Sequence, residues 1–82
     1  MEKLKSVITI VEYGKINITL KEYIDKKGIS KNYIAQATNT RNEVISKWYN
    51  NQVERMDLDV LARICYVLDC SPEDIISYKK SN

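Results

Sequence analysis

The sequence predicts a mainly α domain of five short helices behind a β-rich N-terminal strand or hairpin, and three observations carry that reading. Between Ser30 and Asn50, apolar residues recur at helical spacing in two short segments separated by a turn residue. Asp57 and Ser71 each stand in front of a further apolar, helix-spaced run, as helix-start residues do. Residues 5–19 are instead rich in β-branched side chains, with alternation at Ile16, Ile18 and Leu20 around Asn17 and Thr19. At 82 residues the chain is expected to form a single domain over 1–82. Residues 1–19 are the β-rich extension, 20–78 the helical domain and 79–82 a polar tail.

Two runs, Val7 to Val11 and Lys15 to Ile18, flank Glu12-Tyr13-Gly14, so a hairpin with Gly14 at positive φ is expected. An isolated hairpin is marginal in water, and Ser77-Tyr78-Lys79 offers an extended partner near the other terminus. Thr19 with Glu22 has capping-box spacing ahead of a helix from Leu20 to Lys27, which Gly28 would end as a left-handed residue. Ser30 can accept a backbone N–H of the next helix, on which Ile34, Ala35 and Thr38 share one side. Asn39 enters the left-handed region at low cost, as a tight turn between crossed helices requires. Thr40 and Glu43 again have capping-box spacing, and the helix they introduce buries Ile45, Trp48 and Tyr49. The pair therefore reads as helix-turn-helix.

Asp57 caps a helix through Asp69 that is apolar over more than half its circumference, so Val60, Ile64 and Val67 face either the core or a partner. Ser71-Pro72-Glu73-Asp74 combines an N-cap, Pro at the first position and acids that complement the helix dipole. A brief fifth helix with Ile75 and Ile76 facing the core is expected there.

The outer face of the second helix of the pair is wholly polar: Glu43, Ser46, Lys47 and Asn50, with Arg41 and Asn42 at its entrance. Such a face carries the donors and acceptors that read base edges in a major groove, and an ordinary solvated surface uses the same residues. Net charge is only +2, but it is unevenly placed. Residues 28–55 hold Lys31, Arg41, Lys47 and Arg55 against Glu43 and Glu54, whereas residues 56–82 hold Arg63, Lys79 and Lys80 against five acids. The helix-turn-helix half is the positive half, the polarity a DNA-facing surface needs.

Ile34-Ala35, Asn39, Thr40, Ile45-Ser46, Asn50-Asn51, Leu58-Asp59-x-Leu61 and Leu68-x-Cys70-Ser71-Pro72-Glu73-Asp74-Ile75-Ile76 together resemble the Cro and phage-repressor type of helix-turn-helix domain. The likeness spans most of residues 20–78. Asn39 and Asn51 stand where that family usually has Gly, and Ile24 and Tyr49 where many members pair an Arg with a Glu, which suggests apolar repacking. The resemblance implies a repressor-like, sequence-specific regulator that binds double-stranded DNA as a homodimer, and the lack of an apolar run long enough for a membrane span or secretory segment leads to the expectation of a cytoplasmic protein. Carried over by position, it makes Arg41, Asn42, Glu43 and Lys47 base readers, and Lys31 and Ser46 phosphate contacts. Asn50, Gln52 and Arg55 lie in a polar loop whose residue types suit phosphate contacts and surface connections equally.

The rival reading is a protein-interaction module, such as an antitoxin or a phage regulatory partner, that keeps the fold and binds through its strands or aliphatic stripe. An enzyme is not expected. With no His, and Cys65 and Cys70 as the only thiols, neither a four-ligand zinc site nor a Cys-His pair can be built within one chain. No apolar run reaches the roughly 18 residues of a membrane span, and no cofactor or small-molecule site is suggested.

Overall fold

Residues 12–81 are described by a computed structural model. Strand β1 (Lys15–Ile18) leads into helix α1 (Leu20–Lys27), followed by α2 (Lys31–Ala37), α3 (Asn42–Tyr49), α4 (Leu58–Leu68) and strand β2 (Ile76–Lys79). The second arm of the expected hairpin, Val7 to Val11, lies outside the described residues. The expected pairing of the two ends of the chain is present: β1 and β2 are antiparallel, with Lys15 opposite Lys79 and Ile18 opposite Ile76. Thr19 N extends the ladder by donating to Ile75 O at 2.7 Å.

One apolar core lies inside this frame. Ile18, Leu20, Ile24, Ile34, Ala35, Ile45, Trp48, Val60, Ile64 and Ile75 are buried, drawn from both ends of the chain and from every helix. Each large aliphatic side chain so buried contributes about 1.5–3 kcal/mol of transfer free energy, so β1 and Ile75 hold the helical body together and are not appendages. The α4 arc splits accordingly: Val60 and Ile64 are core, Val67 is half-buried, and Leu58, Ala62 and Tyr66 remain outside.

Every described helix ends in the same way. Gly28, Asn39, Asn51 and Asp69 have φ of 69°, 54°, 58° and 51°, and the N–H of the following residue reaches back across the last turn. Ile29 donates to Ile24 O, Thr40 to Ala35 O, Gln52 to Lys47 O and Cys70 to Cys65 O, at 2.8–3.0 Å. This is the Schellman arrangement, built three times out of four without glycine. At the α4 exit, burial and then the nearby Cys65 push the Cys70 thiol up to about 11, so it stays protonated at neutral pH.

Helix starts depart further from expectation. Ser30 accepts from Tyr33 N at 3.1 Å and Asp57 from Asp59 N at 2.9 Å, as the sequence suggests. Thr19 makes no side-chain cap, and the reciprocal half of the box is closed as well, because the N–H that Glu22 would have to bond is given to Ile75. Nor does Thr40. Its N–H closes the end of α2 and its hydroxyl donates to Thr38 O, so α3 starts one residue later with Arg41 at the N-cap. The fifth helix is reduced to a single 3₁₀ turn, Pro72–Asp74, with Ser71 N donating to Asp74 Oδ2 at 2.9 Å. Pairing of Ile76 with Ile18 draws the chain out into β2 before a second turn can form.

Candidate nucleic-acid interface

The α2–α3 pair is held by its buried side. Ile34, Ala35, Thr38, Ile45 and Trp48 are all buried, and Thr38 satisfies its hydroxyl internally by donating to Ile34 O at 2.7 Å. With Ile45 and Trp48 turned inward, helical spacing turns the intervening residues outward. Arg41, Asn42, Glu43, Lys47 and Asn50 are exposed and Ser46 is half-buried, so these predicted residues lie on the outer side and at the ends of one helix. Gln52 and Arg55 are exposed in the loop that follows.

Glu43 does not take the capping role expected of it: the box with Thr40 is absent. The ion pairs among the described residues are Lys21–Asp25 and Arg63–Asp59. Glu43 lies in the first turn of α3, where a carboxylate is favoured by the helix dipole.

Lys31, at the start of α2, sits beside the last turn of α3. Its Nζ lies 5.0 Å from the centre of the Tyr49 ring, which Lys21 Nζ approaches at 5.5 Å. The Tyr49 hydroxyl donates to the Asp25 carboxylate at 2.9 Å, and Lys21 donates to the same group at 2.9 Å. These hydrogen bonds, that from Lys21 first, hold the Asp25 carboxyl below the usual carboxylate range. The expected apolar repacking of Ile24 and Tyr49 is therefore only half correct. Ile24 is fully buried, but Tyr49 joins α3 to α1 through a polar contact.

Two features of the surface carry no signal in the sequence pattern. Arg63 on α4 donates from Nη1 to Thr38 O and Asn39 O, each at 3.2 Å, while its Nε bonds Asp59 at 2.9 Å. It clamps the turn from a distance in sequence at which no periodicity operates, and places a cation on the carbonyls at the end of α2. In addition, a depression of about 350 Å³ at the mouth of the turn is lined by Ala35, Gln36, Asn39, Thr40, Arg41 and Asn42. Exposed Gln36 and Asn39 thus stand beside Arg41 and Asn42. Gln36 could have been singled out only as the polar residue opposite Ile34 and Ala35 near the turn.

Residues 19–81 match the sequence profile of the Cro/C1-type HTH DNA-binding domain, which spans the core, the turn and both described ends of the helical body. The chain belongs to this family. Among solved structures, a proposed DNA-binding protein from Bacteroides fragilis is similar to it over 77% of this chain and 100% of that one, with a TM-score of 0.67 and 21% identity. The transcriptional regulator VanUg is similar over 89% of this chain and 96% of its own, with a TM-score of 0.69 and 22% identity. At these identities the likeness concerns the fold. No protein with a curated description matches significantly. Among the described residues, no helix of this Cro/C1-type domain is long and apolar enough to cross a membrane.

Proposed function

We propose that this Cro/C1-type domain is a sequence-specific regulator of transcription that binds double-stranded DNA and acts as a repressor. The observation that carries the reading is the exposed polar side of α3, on a helix whose opposite side is sealed by Ile45 and Trp48. Arg41, Asn42, Glu43 and Lys47 are assigned to base edges: Asn suits adenine bidentately, Lys and Arg suit guanine, and Glu accepts from cytosine. Lys31, Ser46, Asn50, Gln52 and Arg55 are assigned to phosphates, where they set register and not sequence. Repression requires only occupancy of the site, which such an interface supplies. VanUg, described as a transcriptional regulator, supports the assignment by its fold.

A second copy completes the reading, because two-fold sites are read by paired recognition helices. The exposed Leu58, Ala62 and Tyr66 recur every four residues along α4, and Tyr66 is 87% exposed. This row, rather than Val60, Ile64 and Val67, is the apolar surface that a partner copy would cover. Sedimentation at tens of micromolar with and without duplex tests it, and a monomer under both conditions would remove the dimer.

Selection from a random duplex library tests the function itself. Enrichment of a two-fold symmetric sequence is expected. Failure to enrich any sequence would favour the interaction-module reading, in which the exposed apolar row of α4 binds another protein.

A further inference from the structure

We propose that the β1–β2 ribbon is a second DNA-contacting element, with Lys15 and Lys79 gripping the phosphate backbone that flanks the site read by α3. The inference rests on the DNA-binding reading above and adds residues that lie outside the helix-turn-helix altogether.

The geometry starts at Asn51, the left-handed residue just past α3. Its Oδ1 accepts from Ile18 N at 2.8 Å and its Nδ2 donates to Asn17 Oδ1 at 3.3 Å, so the exit of the recognition helix is fastened to β1 by two hydrogen bonds. Alternation then fixes which side chains share a face. Ile18 is buried and paired with Ile76, which puts the Ile16 and Tyr78 pair on the same face as the core. Asn17 and Ser77, and beyond them Lys15 and Lys79, occupy the opposite face. That face is the one that meets Asn51, whose neighbours Asn50 and Gln52 are the loop residues assigned to phosphates.

Lys15 and Lys79 stand directly opposite one another, and both are exposed. Like charges facing across an antiparallel pair destabilise it. The pair is therefore a cost to folding that a polyanion lying across the ribbon would relieve. Lys21 and Lys31 meet at Tyr49, beside Asn50 and Asn51, so ammonium groups mark both ends of this strip. Lys15 lies two residues beyond Asn17, about 7 Å along the strand. Duplex DNA rises about 3.4 Å per base pair, so the lysines reach phosphates about two base pairs outside those met by the loop. The ribbon end itself is tightly built. Gly14 has φ of 95°, and a Cβ there would lie 2.5 Å from Lys79 O. Tyr78 donates from its hydroxyl to Tyr13 O across the same end.

The test measures binding of the full chain to the library-selected duplex with flanks of about ten base pairs and to the same duplex trimmed to the site, across a salt series. For the Lys15→Ala/Lys79→Ala protein, the slope of log affinity against log salt should fall by about two units on the flanked duplex, with about tenfold weaker binding near 0.15 M salt. On the trimmed duplex it should match the unsubstituted protein. Lys15→Arg/Lys79→Arg should restore the slope, and a melting temperature at or above that of the unsubstituted protein would show that the alanine protein is folded, since it lacks the repulsion between the paired lysines. If the flanked-duplex slope is unchanged in the alanine protein while Lys31→Ala lowers it, the ribbon does not touch DNA and the recognition reading stands. If the unsubstituted chain binds neither duplex but is retained by an acidic peptide or by anionic vesicles, both readings are overturned.

Discussion

Helix exits and helix entrances in this molecule obey different authorities. All four described helices end on a left-handed residue with the same backward hydrogen bond, whether the core or the solvent lies beyond. Entrances divide: Ser30 and Asp57 cap as their residue types suggest, whereas Thr19 and Thr40 do not. An exit needs only one residue that tolerates positive φ, a local property of Gly, Asn or Asp. A capping box needs the N–H of its own first residue, and at Thr19 and Thr40 that N–H is taken by Ile75 and by the end of α2. Local chemistry decides where a helix stops, and long-range pairing can overrule where it starts.

The sharpest way to break this contrast is to remove the long-range pairing. Deleting residues 77–82 takes away most of β2 and weakens the support of Ile18 and Ile75. The melting temperature should fall by at least about 10 °C, the shift that about 2 kcal/mol produces in a chain of this size. An unchanged melting temperature would mean that the pairing does not hold the domain closed.

Asn51 separates a plain exit from one that also carries tertiary bonds. Asn51→Gly keeps the left-handed turn but loses both bonds to β1, so urea unfolding should show a loss of about 1–2 kcal/mol, part of it from the N–H of Ile18. Asn39→Gly, at an exit whose side chain makes no hydrogen bond among the described residues, should change stability by less than about 0.5 kcal/mol. Equal effects at the two positions would refute the distinction.

Entrances give a smaller contrast. Ser30→Ala and Asp57→Ala should each cost about 1 kcal/mol, the usual worth of a helix cap. Thr19→Ala should fall below about 0.5 kcal/mol, because its side chain caps nothing, and Thr40→Ala should cost about 0.5 kcal/mol, because it loses only the hydroxyl bond to Thr38 O, a carbonyl that Arg63 still bonds.

The smallest effect is on pH. Asp25 has a folded pKa below its unfolded value, so its contribution is fully present above about pH 4 and is lost as pH falls through the folded value. Asp25→Asn should therefore flatten the acid limb of the stability profile, and the alkaline limb too, because the same carboxylate raises the pKa of Lys21 and of Tyr49, whose stabilising contributions are lost as pH rises through their folded values. Persistence of the full acid limb would show that other carboxylates carry it.

These contrasts also account for what could be read from residues alone. The helix-turn-helix, its buried face and the left-handed turn at Asn39 were legible because apolar spacing and backbone tolerance are local. Pairing of β1 with β2 was legible from the alternation at Ile16 and Ile18 together with the extended look of Tyr78. The fifth helix was misread because Ser71-Pro72-Glu73-Asp74 announces a start but says nothing of Ile76 being claimed by Ile18. Arg63 was missed because a guanidinium bonding carbonyls 24 and 25 residues away leaves no trace in spacing. Within the candidate interface, the outward residues of α3 were legible as a face, whereas Gln36 needed the turn's geometry to bring it beside Arg41 and Asn42.

The central claim is that α3 reads sequence while the residues around it position the protein. The direct measurement is the affinity of Asn42→Ala, Lys47→Ala and Lys31→Ala for the preferred duplex and for random DNA over a salt series. Asn42→Ala and Lys47→Ala should each lose about 1–3 kcal/mol on the preferred site and much less on random DNA. Lys31→Ala should weaken both alike and lower the salt slope by about one unit. Equal losses on preferred and random DNA for Asn42→Ala and Lys47→Ala would contradict the account, and α3 would then be a docking surface and not a reader.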